Sequence, residues 1–278
     1  MKPEGNTLQK DILRRKRIRM FVINGIAIVA GVAIFTLLGF VSKKQHDAMC
    51  WKLDVQVESV GEVKYIDEKL VTSIATSATD KIVGKPVNEV DLVAIHNKLA
   101  ENSSIREAHV YTTVDGRCMI RVQQRTPIAR IFTATGQSFY LDKDGFTMAL
   151  SNDYTAKVPV FTGEINETMH SESILDRSAD EAFMNATTLD EIYRLTQFIR
   201  SNEFWSAQVE HIHVTSDQEF EIIPRVGNHK LRIGDANDLE NKFRKLMAFY
   251  ANTIHSRDLN QYSSINVEYD GQVVCVKR

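Results

Sequence analysis

Cysteine, proline and tryptophan are scarce in this chain of 278 residues, at three, five and two. Cys50, Cys118 and Cys275 lie far apart, with no C-x-x-C pair and no zinc-ligand spacing. An odd count excludes a fully paired disulfide framework. Cys118 and Cys275 both fall in strand-like runs, either as two core thiols or as one disulfide. The burial preference of cysteine favours thiols, and a bridge depends on geometry. Also missing are a G-x-S-x-G elbow, an H-E-x-x-H pair and a phosphate-binding G-x-x-x-x-G-K loop. No cofactor or metal is expected, and the chain is read as no enzyme. Net charge is low as well, at −2, but unevenly placed. Residues 1–41 carry seven Lys/Arg against Glu4 and Asp11, a surplus of +5, which leaves −7 for the remainder. An acidic body lacks the basic surface that nucleic-acid phosphates require.

What the chain does have is one long apolar run. Residues 20–41 are 22 positions without a charge, Asn24 being the only strongly polar side chain. A bilayer core about 30 Å thick takes roughly 20 apolar helical residues, so this run is predicted to be a transmembrane helix. Arg14, Arg15, Lys16, Arg17 and Arg19 precede it. Positive charge of that kind holds its end in the cytoplasm and sends residues 42–278 across. The same basic run also reads as a contact for anionic lipid. A cleaved signal peptide would have an apolar core of only about 7–15 residues and a small-residue cleavage site, whereas this run exits into Ser42, Lys43, Lys44 and Gln45. One anchor forms no channel, so function belongs to the outer part.

The outer part divides by pattern. Residues 42–52 are a polar linker. Leu53, Val55 and Val57 alternate with Asp54, Gln56 and Glu58, a strand with one buried face. Two helical stretches follow. The first carries Leu70, Val71 and Ile74 after Asp67. The second carries Leu92, Ile95 and Leu99, with Asn88 as its expected cap. Two strands flank Asp115-Gly116, a dipeptide suited to a tight hairpin because both positions tolerate positive φ. This β-α-α-β-β unit spans 53–126. From Pro127 the chain reads as a second unit, 127–278, mostly β with packed helices. Its expected strands are 128–132, 137–141, 158–161, 209–215, 219–224 and 229–233. One helix opens on a Thr188/Glu191 capping box. Another, near Asp235, carries Leu239, Phe243, Leu246 and Tyr250 on one face and a Glu240–Arg244 pair. Residues 164–186 show little periodicity and are predicted irregular. The last hairpin pairs Ile265, Val267 and Tyr269 with a strand over 272–277, turning at Asp270-Gly271.

Two side-chain groups have the residue types of a metal site. His211 and His213 share one face of a strand and are expected to be a solvent-facing pair without a third metal ligand. Asp142-Lys143-Asp144-Gly145 begins like a calcium loop but lacks the later ligands, and reads as a hairpin turn.

The segments IREAHV (105–110), MIRVQQRTPIARI (119–131), FYLDKDG (139–145), VPVFTG (158–163), LRIGDANDLENKFRKL (231–246) and SINVEYDGQVV (264–274), behind a basic tail and one anchor, resemble the FtsQ/DivIB family. Asn266 and Glu268 stand where the family usually has Asp and Arg. The resemblance implies an α+β architecture: a single transmembrane helix, a POTRA domain (β-α-α-β-β) and a mixed β-rich domain with packed helices. It implies a single-pass protein of the bacterial inner membrane, N-terminus in the cytoplasm and body outside, at the division septum. Its role there would be a scaffold for septal membrane proteins resembling FtsB and FtsL. The alternative is a POTRA-bearing envelope assembly or secretion component. The implied partner site is strand addition at the C-terminal edge, involving Tyr269, Asp270, Gly271, Gln272, Val273, Val274 and Val276. Independently, a strand at the chain's end is expected to lack a neighbour on one side, where unpaired N–H and C=O groups would offer a template. An ordinary edge guarded by Lys277 and Arg278 is the competing reading. Tyr269 is either a partly exposed anchor for a partner or a core residue on the Ile265/Val267 face.

Overall fold

The computed structural model describes residues 25, 28–36, 48–58, 64–151, 154–177, 187–253 and 258–278. Residues 25 and 28–36, inside the apolar run, are helical and exposed. The rest of that run, the basic residues 14–19 and the linker up to 47 lie outside the described residues. Among the described residues, no helix is long and apolar enough to cross a membrane.

The first unit contains β1 (Lys52–Glu58), α1 (Glu68–Ala78), α2 (Leu92–Ala100), β2 (Ile105–Thr112) and β3 (Arg117–Gln124). β3 is central, with β1 parallel on one side and β2 antiparallel on the other. The helices bury Val71, Ala75, Ile95 and Leu99 against Ile120 and Val122. Asp67 caps α1 by accepting from the Leu70 N–H at 2.7 Å. The cap of α2 is Asp91, not Asn88. Asp91 sits directly before the apolar stripe and accepts from the Ala94 N–H at 2.9 Å, while Asn88 lies in a single 3-10 turn, Val87–Glu89. Cys50 and Cys118 are free thiols in this core, and Cys275 is a free thiol in the second unit, so no disulfide joins 118 to 275.

The second unit is a nine-stranded sheet. Its strands are β4 (Pro127–Phe132), β5 (Ser138–Asp142), β6 (Thr147–Met148), β7 (Val160–Gly163), β8 (Val209–Val214), β9 (Phe220–Pro224), β10 (Lys230–Gly234), β11 (Tyr262–Asn266) and β12 (Val274–Lys277). Their spatial order is β12-β11-β10-β9-β8-β7-β4-β5-β6, with parallel pairs at β4/β7, β7/β8 and β10/β11. Helices α4 (Thr188–Ser201), α5 (Glu203–Gln208) and α6 (Leu239–Thr253) supply Leu189, Ile192, Leu195, Trp205, Phe243 and Leu246 to its core. The region read as irregular holds one short helix, α3 (Ile174–Arg177), and residues 178–186 of it lie outside the described residues. The capping box of α4 is one residue earlier than expected. Thr187 and Asp190 satisfy each other's backbone N–H groups. Arg244 gives its guanidinium to Asn241 at 2.6 Å instead of forming the expected pair with Glu240.

Four hairpins share one five-residue turn: 113–117, 133–137, 142–146 and 215–219. In each, the first residue's N–H donates to the fifth residue's carbonyl, and the fourth residue's N–H donates to the first residue's carbonyl. Each first residue also spends a side-chain oxygen on the fifth N–H: Thr113, Thr133, Asp142 and Thr215. The fourth residue is left-handed, as Gly116, Gly136, Gly145 and Gln218. Asp115 is therefore not at positive φ. The turn needs only one left-handed residue.

The two units meet at Arg125, the residue after β3. Its guanidinium reaches Asp142 Oδ2 at 3.0 Å and stacks over the Phe146 ring at 3.8 Å. Asp142 is fully buried, and its Oδ1 accepts from the Asp144 and Phe146 N–H groups. Burial pushes this carboxyl up, while those hydrogen bonds and Arg125 pull it down. Arg106 of β2 adds an ion pair to Asp144 at 3.0 Å, and Tyr65 packs beside Tyr140. The 142–145 segment is thus the expected hairpin turn, put to use as a joint.

Candidate functional site

One border of the large sheet is β12. It pairs antiparallel with β11, through Ile265↔Cys275 and Asn266↔Val274, and with no other strand among the described residues. Ser263 Oγ donates to the Val276 carbonyl and the Arg278 N–H donates to Gln261. Strand alternation then turns the N–H and C=O groups of Cys275 and Lys277 away from the sheet. The side chains divide accordingly. Cys275 packs toward the core, while Val274 and Val276 are 42% and 54% exposed. Two apolar side chains beside an unpaired backbone row are an unusual combination for a bare edge, which is normally blunted by charge.

β12 is shorter than expected. It starts at Val274, so Gln272 and Val273 belong to the connection with Tyr269, Asp270 and Gly271. β11 ends at Asn266 because that side chain accepts from the Glu268 N–H, 2.8 Å, and turns the chain out of the ladder. Tyr269 is 51% exposed, which corrects the core alternative. Val273 packs partly against the core.

The connection is held in place by α6. Lys245 Nζ donates to the carbonyls of Val267 and Tyr269 at 2.7 and 2.6 Å, and Asn241 Nδ2 reaches Asp270 Oδ1 at 3.3 Å. These two helix residues were not singled out in the sequence. A lysine on an amphipathic helix carries no local sign that it will meet two carbonyls 22 and 24 residues away. The other end of β12 is held by Arg278, which donates to the Asn228 carbonyl. Next to that contact, His229 is buried and its Nε2 meets the Tyr250 hydroxyl at 2.7 Å.

Burial, and then the nearby Arg278 cation, hold His229 below its ordinary value of 6.5. The folded protein therefore binds fewer protons there than the unfolded chain, so stability falls as pH drops below about 6.5. The loss in melting temperature between pH 7.5 and pH 5.5 is expected to be smaller for His229→Gln than for the parent chain. Equal losses in a thermal unfolding series would remove His229 from the account.

His211 and His213 share a face of β8, half-buried, with Thr162 Oγ1 between them at 2.8 and 3.5 Å. Among the described residues no group of three or more His, Cys, Asp or Glu is placed to hold a metal ion.

Residues 126–276 match the family model described as "FtsQ/DivIB, C-terminal related", and residues 48–123 match a POTRA-like domain. The chain is 22% identical over 274 residues to the cell division protein FtsQ of Rhodothermus marinus, covering 96% of this chain and 89% of that protein.

Proposed function

Because the chain belongs to the FtsQ/DivIB C-terminal-related family, we propose that it is a non-catalytic scaffold of the bacterial division machinery that captures a membrane partner by strand addition at β12. The observation that carries this reading is the one-sided pairing of β12 with Val274 and Val276 exposed beside it. A partner strand laid along β12 satisfies the outward N–H and C=O groups of Cys275 and Lys277 and covers both valines. Tyr269, held by Lys245, supplies a rigid aromatic anchor at one end of the groove. Exposed Lys277 favours an acidic partner segment. The partners are septal membrane proteins resembling FtsB and FtsL.

On this reading residues 20–41 span the inner membrane once. Arg14, Arg15, Lys16, Arg17 and Arg19 keep residues 1–19 in the cytoplasm, and the body lies outside at the septum. Depletion of the protein in its host tests the proposal, with an N-terminally fluorescent copy reporting position. Long undivided cells and a mid-cell band are expected. Normal division with label spread around the envelope would overturn the scaffold reading.

A further inference from the structure

The first unit has an apolar tip at the end where the chain enters it. Met49, Trp51, Val83 and Val114 are all exposed there, Trp51 by 58% and Val114 by 80%. They come from three segments laced together by backbone. Met49 bridges to Pro86, the Cys50 N–H donates to Lys85, the Gly84 N–H donates to Cys50, and the Trp51 N–H donates to Gly116. The indole is pinned as well, its Nε1 donating to the Asp115 carbonyl at 2.8 Å. Gly116 has no room for a side chain: a Cβ would stand 2.6 Å from the Met49 carbonyl and 3.3 Å from the Trp51 ring. The four side chains are therefore presented outward by a rigid frame and are absent from the buried core of their unit.

We propose that this tip rests in the headgroup and upper acyl layer of the membrane that carries the chain. The inference rests on reading residues 20–41 as an anchor. Seven residues, 42–48, then separate the end of the anchor from Met49. Fully extended, they reach roughly 24 Å, so the tip is tethered to one bilayer face and meets it at high effective concentration. Tryptophan with its N–H satisfied and its ring exposed is the side chain that membrane interfaces favour. Lys43 and Lys44 in the tether and Lys81 and Lys85 beside the tip suit anionic headgroups. Asp80 and Asp115 are also at this end, and Asp115 is paired with Arg117 at 2.8 Å.

The chain has two tryptophans, and Trp205 is only 2% exposed in the second unit. Lipid-borne quenchers therefore report Trp51 selectively. The full chain is reconstituted into phosphatidylethanolamine/phosphatidylglycerol vesicles, with and without bromine on the upper acyl carbons, and floated on a density gradient. Brominated lipid is expected to lower the Trp51 emission, because an interfacial indole lies beside the upper acyl carbons, and Trp51→Phe to abolish the effect. A Met49→Asp/Val114→Asp variant, with the far-ultraviolet dichroism and the limited-proteolysis pattern of the first unit unchanged as its folding control, is expected to lose most of the quenching. Floating vesicles with unquenched Trp51, or quenching that survives the double variant, overturn the inference alone. Protein left at the bottom of the gradient overturns the anchor reading, and the membrane contact with it.

Discussion

Deletion of residues 272–278 is expected to abolish capture of the membrane partner while leaving the first unit folded. The deletion removes all of β12, and with it the outward backbone groups and Val274 and Val276. The border of the sheet becomes β11, whose edge presents different side chains and whose connection at Tyr269 no longer leads into a strand. The first unit has its own core, from Cys50 to Val122, and shares no residue with this border. Binding to purified partner is measured for the detergent-solubilised full chain and for the deletion. Far-ultraviolet dichroism and limited proteolysis show whether the first unit persists. Two smaller changes separate the contributions. Tyr269→Ala removes a half-exposed aromatic anchor and is expected to weaken binding by about 2 kcal/mol, roughly thirtyfold. Lys277→Pro deletes one outward N–H from an edge position that tolerates proline, and is expected to cost roughly tenfold. Binding by the deleted chain as tight as the parent's would sink strand addition at β12 outright.

The second large effect is expected at the joint. Asp142→Ala leaves the Arg125 guanidinium, only 12% exposed, without its carboxylate, and leaves the Asp144 and Phe146 N–H groups without their acceptor. Breaking a buried ion pair from one side costs about 3–5 kcal/mol. That is a large share of the stability of a domain of this size. Asp142→Asn keeps an oxygen for the turn N–H groups and loses only the charge, so its cost is expected to be smaller, about 1–3 kcal/mol. The Arg106–Asp144 pair is partly solvated, and Arg106→Ala is expected to change stability by at most about 1 kcal/mol. Denaturant unfolding of the three variants gives the ranking. Asp142→Ala as stable as the parent would show that the joint contributes little.

Much of this architecture was legible because local pattern and tertiary role agree. The alternation of Leu53, Val55 and Val57 marks β1, and Asp-Gly at 115–116 and 144–145 marks two hairpins. The remaining features depend on contacts that short windows do not contain. The turn at 215–219 lacks a glycine. Gln218 is left-handed there, its side chain held by the Glu164 carbonyl and the Thr188 hydroxyl. At the start of α4, Thr187-Thr188 and Asp190-Glu191 offer the same box in two registers. Backbone geometry selects the earlier one, with Thr187 extended. The early end of β11 follows from Asn266 competing for a backbone N–H, which hydrophobic alternation through Val267 and Tyr269 conceals. The parallel pairings β4/β7 and β10/β11 join strands separated by whole helices or long connections, and no local periodicity encodes a partner. Alternation over 272–277 marks β12 as a strand, and its place at the border comes from the sheet order. The Lys245 clamp depends on carbonyls 22 and 24 residues away and leaves no local mark.

The order of the large sheet also sets a length. The joint with the first unit lies at β5 and the turn after it, next to the border strand β6, and β12 forms the opposite border. Nine strands make eight steps of about 4.8 Å, so the two borders stand roughly 38 Å apart. A hydrogen-bonded sheet backed by three helices does not stretch across its strands. The second unit therefore acts as a ruler. A strand bound at β12 is held seven strand steps, roughly 34 Å, from the joint at β5. If residues 20–41 are the proposed anchor, a bound partner with its own transmembrane helix would enter the membrane well away from them, leaving lateral room between the two for other components.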